Sequence, residues 1–315
     1  MSKRFVAKPS RYHFAIWVAI AVAVFVACTS GAKSATPFPN AEQARFSVEV
    51  VGQDAGKAPD LILIPGLNSS REVWDATAEQ LKSRYRLHIL NLSGFAGEPA
   101  AANRTGPVID PVVEALDAYI RQNRLKDPII IGHSLGGLTG LRLATRHPSS
   151  LSKLIIVDAL PFIGVLFDPA ADAQTIVPRA NQMRDAMLAG DDAAHAARVS
   201  ESLKALPEPK TEAERNTQRI TRWMLTSDRY VSAQAFYDDM LMDLRPDLAK
   251  ITVPVVVFVP HHATMPYTAE QTTAFYGYQY SGTKQLRLLP IADSRHFIMY
   301  DQPQVFAAAL DAALQ

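Results

Sequence analysis

The chain has 315 residues, of which 48% are hydrophobic and 20% are charged. These proportions are ordinary for a folded globular protein and exclude a mainly disordered chain. Four of the cations (Lys3, Arg4, Lys8 and Arg11) lie in an acid-free N-terminal segment, and the rest of the chain has 28 cations against 31 anions, a formal charge of −3. This balance leaves no electrostatic footprint for nucleic acid, so no nucleic-acid partner is predicted.

Residues 1–27 are predicted to be a signal peptide. The cations precede an apolar run from Phe14 to Ala27, which is short for a spanning helix and has the length of a secretory h-region. Cys28 follows directly, and "FVAC" resembles the lipobox of bacterial lipoproteins, although Phe25 stands where leucine is usual. We therefore expect export to the periplasm or cell envelope, with membrane attachment through lipidated Cys28 or the N-terminal segment. Ordinary cleavage nearby, or an uncleaved anchor lengthened by residues 29–32, is the alternative.

Residues 28–44 are small, polar and proline-bearing, which predicts a tether. After them, strand and helix patterns alternate, which is typical of a doubly wound, mostly parallel sheet covered by helices. The predicted strands cover residues 45–52, 59–66, 86–92, 128–132, 151–160, 253–260 and 284–290, and the predicted helices of the core cover 70–85, 111–125, 138–147 and 303–314. The α/β core is therefore assigned to residues 45–160 and 251–315.

The alternation stops between residues 161 and 250. Four helical patterns follow one another there, at residues 177–190, 192–206, 211–225 and 231–244, with turn signals such as "PEPK" between them. We expect this segment to be a helical lid inserted into the core.

The segment "IIIGHSLGG" places Ser134 between two glycines, after a buried strand and before a helix. This pattern is the nucleophile elbow, in which side chains at Gly132 or Gly136 would collide with neighbouring elements. The turn lifts Ser134 above the sheet at a helix N-terminus, where negative charge is favoured, and the Leu135 amide can point to the same place. A glycine-rich turn with an inert serine is the alternative.

Acyl transfer needs a second amide to hold the developing oxyanion. In "LILIPGLNSS", Gly66 allows close backbone approach after a strand, and the Leu67 amide is the candidate donor. The side chain of Asn68 is an alternative donor, and a tight turn without chemistry is the other interpretation.

A serine nucleophile also requires a base. His296 follows the last predicted strand and precedes the final helix, which places it at the carboxyl edge of the sheet, where ligands bind in this architecture. His261 directly follows another predicted strand, and with Asn68 and His133 it is predicted to line the pocket. His133 has no partner at metal-ligand spacing, so no metal site is predicted.

These segments together with "SRHFIMYDQPQVF" and the helical insertion resemble the α/β-hydrolase fold family with a lid, from about residue 45 to the end. The resemblance implies Ser134 as nucleophile, His296 as general base and the amides of Leu67 and Leu135 as oxyanion donors. In this family the acid usually follows the strand at 253–260, but here Ala263 stands in that place.

Asp158, at the end of the strand after the elbow helix, is the predicted triad acid, because some relatives such as haloalkane dehalogenases carry their acid there. Glu270 and Asp293 are the alternatives, and many relatives have a non-catalytic aspartate at the position of Asp158.

Apolar residues in the lid and in "LPFIGVLF" favour a hydrophobic acyl or alcohol group over a sugar or phosphate. The sequence therefore predicts a cofactor-free serine hydrolase acting on small to medium apolar carboxylic esters. Lactone, amide, thioester or carbon–carbon hydrolysis and acyl transfer use the same residues. A non-catalytic ligand-binding protein of the same fold is the alternative from a different functional class.

Overall fold

The computed structural model describes residues 41–315. The predicted signal peptide, the lipidation of Cys28 and all but the end of the predicted tether lie outside the described residues. Within residues 41–315, none of the helices combines the length and the apolar character that crossing a bilayer requires.

Seven strands form one sheet in the order β1-β3-β2-β4-β5-β6-β7. Their bounds are β1 Phe46–Gly52, β2 Asp60–Ile64, β3 Arg86–Leu92, β4 Ile129–His133, β5 Lys153–Val157, β6 Val255–His261 and β7 Leu286–Ala292. Neighbouring strands from β3 to β7 pair in parallel, and β1 pairs with β3 antiparallel. The predicted doubly wound, mostly parallel sheet is confirmed.

Ten α-helices lie within the described residues. Their bounds are α1 Asp75–Leu81, α2 Ile109–Gln122, α3 Leu135–Arg146, α4 Val177–Met187, α5 Asp192–Ala205, α6 Glu212–Thr226, α7 Arg229–Leu241, α8 Ala269–Gln279, α9 Ile298–Asp301 and α10 Pro303–Leu314. Helices α4–α7 occupy the segment predicted as the lid. Helices α8 and α9 have no counterpart in the sequence-based prediction.

Alternating residues of the central strands feed two separate cores. In β2, Ile62 and Ile64 pack into one hydrophobic cluster, whereas Leu61 and Leu63 pack into the cluster on the other face. All five residues of β2 are buried. Asp60 begins the strand, and because both faces of the sheet are covered, the four residues after it are all apolar, which explains the uninterrupted run from Leu61 to Ile64 in the sequence.

Specific end contacts fix the inserted helices. Helix α6 begins with a capping box formed by Thr211 and Glu214, and the Asp228 side chain accepts hydrogen bonds from two amides in the first turn of α7. The Asp228 amide also donates to the Gly94 carbonyl at 2.7 Å, beyond the carboxyl end of β3. The bond to Gly94 ties the start of α7 to the loop after β3, at the sheet edge where the site residues lie.

Candidate active site

Ser134 occupies a sharp turn between β4 and α3. Its backbone has φ 51° and ψ −123°, a left-handed conformation that costs energy for a residue with a side chain. A Cβ added at Gly132 would lie 2.2 Å from the Gly136 carbonyl oxygen, and one added at Gly136 would lie 2.3 Å from the Ile64 carbonyl oxygen. Only glycine fits at either position, so the two glycines allow the strained turn that presents Ser134.

The loop after β2 packs against this turn. A Cβ added at Gly66 would lie 3.0 Å from both His133 Nδ1 and Ser134 Cβ, so the absence of a side chain brings the loop close to the serine. The next amide, that of Leu67, has no hydrogen-bond partner among the described residues. Leu135 is the first residue of α3, where helical amides have no partner within their own helix. Two amides on neighbouring loops are therefore free to hold an oxyanion.

Asn68 adjoins this loop and lines the cavity. It also has a left-handed backbone, with φ 57°. Its Oδ1 accepts a hydrogen bond from the Ser232 hydroxyl of α7 at 2.6 Å. The residue predicted as an alternative oxyanion donor therefore connects the loop to the inserted helices.

The imidazole of His296 is bound to Asp158. His296 Nδ1 donates to Asp158 Oδ2 at 2.6 Å, whereas both alternative acids, Glu270 and Asp293, are exposed and make no hydrogen bond with this ring. Burial lowers the pKa of His296, but the charge and hydrogen bond of Asp158 outweigh it and hold the pKa above its usual value. Burial likewise raises the pKa of Asp158, yet His296 and a further hydrogen bond leave it below its usual value.

A tyrosine of α8 and the tyrosine that follows the helix hold Asp158 and its neighbour. The Tyr276 hydroxyl donates a short hydrogen bond to Asp158 Oδ1, and the Tyr280 hydroxyl donates to the Ala159 carbonyl at 2.8 Å. Sequence reasoning missed both tyrosines together with the helix. The only local signal was the capping box of Thr268 and Gln271 at the start of α8.

His133 lies under the reacting residues and is fully buried. Its Nε2 donates to the backbone carbonyl of His296 at 2.9 Å, and its ring centroid lies 4.6 Å from that of His296. Burial, assisted by the charge of His296, lowers the pKa of His133 to about 3, so this ring stays neutral. His133 thus supports the loop that carries His296.

Ser134 and His296 line one cavity of about 330 Å³. The Ser134 hydroxyl has no hydrogen bond among the described residues, and bonds of this kind are often completed only when a substrate binds. Apolar side chains form most of the wall: Leu67, Ile163, Leu166, Phe167, Ile220, Trp223, Met224, Phe236 and Phe297. The predicted apolar segment after Asp158 and the inserted helices both contribute to this wall.

The predictions for the pocket differ in outcome. Asn68 and His133 line the cavity, but the prediction for His261 is wrong. His261 Nε2 is hydrogen-bonded to the Tyr267 carbonyl at 3.0 Å, so the ring is directed into the loop before α8. Leu135 contributes no lining atoms, and its side chain is buried in the core.

A model of the alpha/beta hydrolase fold matches residues 59–259, nearly two thirds of the chain. The chain belongs to the alpha/beta hydrolase fold family. Two of its curated relatives are named pimeloyl-[acyl-carrier protein] methyl ester esterase. The one from Aeromonas hydrophila is 32% identical over 136 residues, which cover 43% of this chain and 50% of the relative. The one from Vibrio vulnificus is 30% identical over 116 residues, which cover 37% and 43%. The chain therefore spans about half the length of these relatives.

Solved structures share the fold over most of the chain. The enol-lactonase from Burkholderia xenovorans has a TM-score of 0.63 at 20% identity and covers 85% of this chain and 96% of its own. An esterase from Exiguobacterium antarcticum has a TM-score of 0.63 at 17% identity and covers 86% and 96%. At these identities the likeness shows the fold alone.

One acidic residue in the cavity was not predicted. Asp239 of α7 lines the wall beside the apolar residues and is only 7% exposed. Its Oδ1 is buried without a hydrogen-bond partner among the described residues. Burial raises the pKa of Asp239 to about 7, while the charge of His296 opposes this rise and that of Asp238 adds to it.

Proposed function

We propose that this chain hydrolyses carboxylic esters through an acyl-enzyme on Ser134. The observation that carries the proposal is the placement of Ser134 and His296 in one cavity, with Nδ1 of His296 bound to Asp158 at 2.6 Å. That bond keeps the proton on Nδ1, so Nε2 is free to accept the proton of a serine hydroxyl.

Ser134 Oγ attacks the ester carbonyl carbon while His296 Nε2 takes its proton. The negative charge that develops on the carbonyl oxygen is held by the amides of Leu67 and Leu135. The carbon–oxygen bond to the alcohol then breaks, and the alcohol leaves with the proton from His296. Water attacks the acyl-enzyme with His296 as base, which releases the acid and restores the Ser134 hydroxyl.

The cavity favours a small to medium apolar substrate. A volume of about 330 Å³ lies at the lower end of the usual range for ligand pockets, and most lining side chains are aliphatic or aromatic. The relatives support the cleavage of esters, because they are named methyl ester esterases.

A fluorophosphonate probe tests the chemistry directly. We expect covalent labelling of the wild-type protein at Ser134, no labelling of Ser134→Ala, and turnover of a panel of p-nitrophenyl esters graded by acyl length. A folded protein that neither labels nor hydrolyses any ester would instead favour a non-catalytic binding protein of this fold.

We further propose that the chain is exported and attached to the cell envelope by its N-terminal segment, with Cys28 as the lipidated residue. The cations and the apolar run before Cys28 support this proposal. Mass spectrometry of the mature N-terminus tests it. A diacylglyceryl-modified peptide that begins at Cys28 is expected, and an unmodified peptide that begins downstream contradicts lipidation.

A further inference from the structure

The carboxyl group of Asp239 stands out in an otherwise apolar wall. It is more than nine-tenths buried, and it lines the same cavity as Ser134 and His296. A buried polar group without a hydrogen bond costs free energy, so it persists where a ligand or a function offsets the cost. The mechanism proposed above gives Asp239 no task.

The neighbouring residue Asp238 shows what a structural aspartate looks like on this helix. Asp238 Oδ2 accepts from the amides of Val108 and Ile109 at 2.6 and 3.2 Å, and Oδ1 accepts from the Gln234 side chain at 2.7 Å. These bonds attach α7 to the start of α2. Asp239, one residue later, lines the cavity, and neither of its carboxyl oxygens accepts a hydrogen bond from another described residue; Oδ1 is the buried one of the two.

The protonation state of Asp239 decides which ligand it suits. Because burial raises its pKa to about 7, the carboxyl group keeps a proton through mildly acidic conditions and part of the population keeps it near neutrality. A protonated carboxyl both donates and accepts a hydrogen bond, which matches a hydroxyl group on the substrate. A carboxylate on the substrate would compete poorly, since ionised Asp239 repels it.

We propose that Asp239 is a specificity-determining residue that binds a hydroxyl group on the acyl chain of the substrate. The apolar wall holds the carbon chain, and the carboxyl group of Asp239 binds the hydroxyl group on that chain. This inference rests on the proposed ester hydrolysis and deepens it, because it names hydroxyacyl esters as the preferred class.

The test compares methyl esters of one acyl length, with and without a hydroxyl group that is moved one carbon at a time along the chain. Values of kcat/KM are measured for the wild type and for Asp239→Asn, Asp239→Leu and Asp239→Ala. At the best hydroxyl position, the wild type is expected to prefer the hydroxyacyl ester by about tenfold, the usual effect of one hydrogen bond in a buried site. Asn keeps a donor and an acceptor and should retain most of the preference, whereas Leu and Ala should lose it.

The readout is the ratio of two substrates on the same variant, so a general loss of activity cancels. Asp185→Asn and Asp185→Leu, which alter an exposed aspartate on α4, serve as matched controls and should leave the ratio unchanged. Asp239→Ala provides a second apolar variant should Asp239→Leu fail to fold.

Three results would overturn the inference while ester hydrolysis stands. These are no hydroxyl preference at any position, an unchanged preference in Leu and Ala, or a preference for an ammonium-bearing acyl ester of the same length. Absence of hydrolysis of every ester, together with no fluorophosphonate labelling, would overturn the proposed function and this inference with it.

Discussion

Replacing Asp158 with asparagine tests how the acid acts on His296. The Tyr276 hydroxyl donates to Asp158 Oδ1, and His296 Nδ1 donates to Oδ2. In Asp158→Asn, Tyr276 retains its acceptor only if the amide oxygen faces it, which turns the amide NH₂ toward His296 Nδ1. The ring must then accept at Nδ1 and carry its proton on Nε2, where it cannot take the serine proton.

By analogy with serine proteases, such a wrong tautomer lowers kcat by about ten-thousandfold, which corresponds to roughly 5 kcal/mol of barrier height. The assay is steady-state turnover of a p-nitrophenyl ester, with circular dichroism to verify folding. The double variant Asp158→Asn/Tyr276→Phe sharpens the test. Without the tyrosine hydroxyl the amide can rotate, so the double variant should be at least as active as the single one and recover up to about tenfold.

Near-full turnover of Asp158→Asn, with a large loss in Glu270→Gln or Asp293→Asn, would refute the assignment of the acid. A double variant that is much less active than Asp158→Asn would refute the argument from amide orientation, because the two effects would then accumulate independently.

Three further predictions follow from the same site. The acid limb of the pH profile of kcat/KM should lie above pH 6.5, because His296 acts as a neutral base and its pKa is raised. Asp158→Asn lacks the charge and the hydrogen bond of Asp158 that raise this pKa, so its acid limb should move to lower pH. A move to higher pH would contradict this cause. His133→Leu removes the donor to the His296 carbonyl and should lower kcat about tenfold with little change in KM. His133→Gln keeps a donor and should restore part of the lost kcat. Equal kcat in the two variants would count against a positioning role. Gly132→Ala places a Cβ against backbone atoms and should lower the free energy of unfolding by roughly 4 kcal/mol or more in chemical denaturation. Gly277→Ala in α8 is the control, because a Cβ there would meet only Leu288 at 3.6 Å, and it should be neutral or slightly stabilising.

Local signals in the sequence predict the core of this structure well. Continuous apolar runs such as that of β2 are expected for strands buried on both faces, and two glycines around a serine are expected for a turn without room for side chains. The absence of a carboxylate at Ala263 also favours Asp158 as the acid, and the structure places Asp158 Oδ2 2.6 Å from His296 Nδ1.

The missed features depend on packing between distant segments. Helix α8 has no clear apolar stripe at helical spacing, so its sequence does not predict a helix. Tyr276 could therefore not be assigned to Asp158, which lies 118 positions away in sequence. The sequence alone does not distinguish Asp239 from a solvent-exposed acidic residue of a helix, because its place in the cavity depends on how α7 packs over the sheet. The error for His261 has a similar cause, because nothing in the local sequence indicates that its ring is bonded to the Tyr267 carbonyl in the loop that follows.

The hydrogen bond between Asn68 and Ser232 joins two parts of the molecule that are 164 positions apart in sequence. If α7 swings outward to admit a substrate, this bond breaks and the loop that carries the Leu67 amide loses its outer support. The open form would then admit the substrate, whereas the closed form, with the Leu67 amide held in place, would stabilise the tetrahedral intermediate better. Variants that favour the open form should therefore accept bulkier esters at the expense of the rate of acylation.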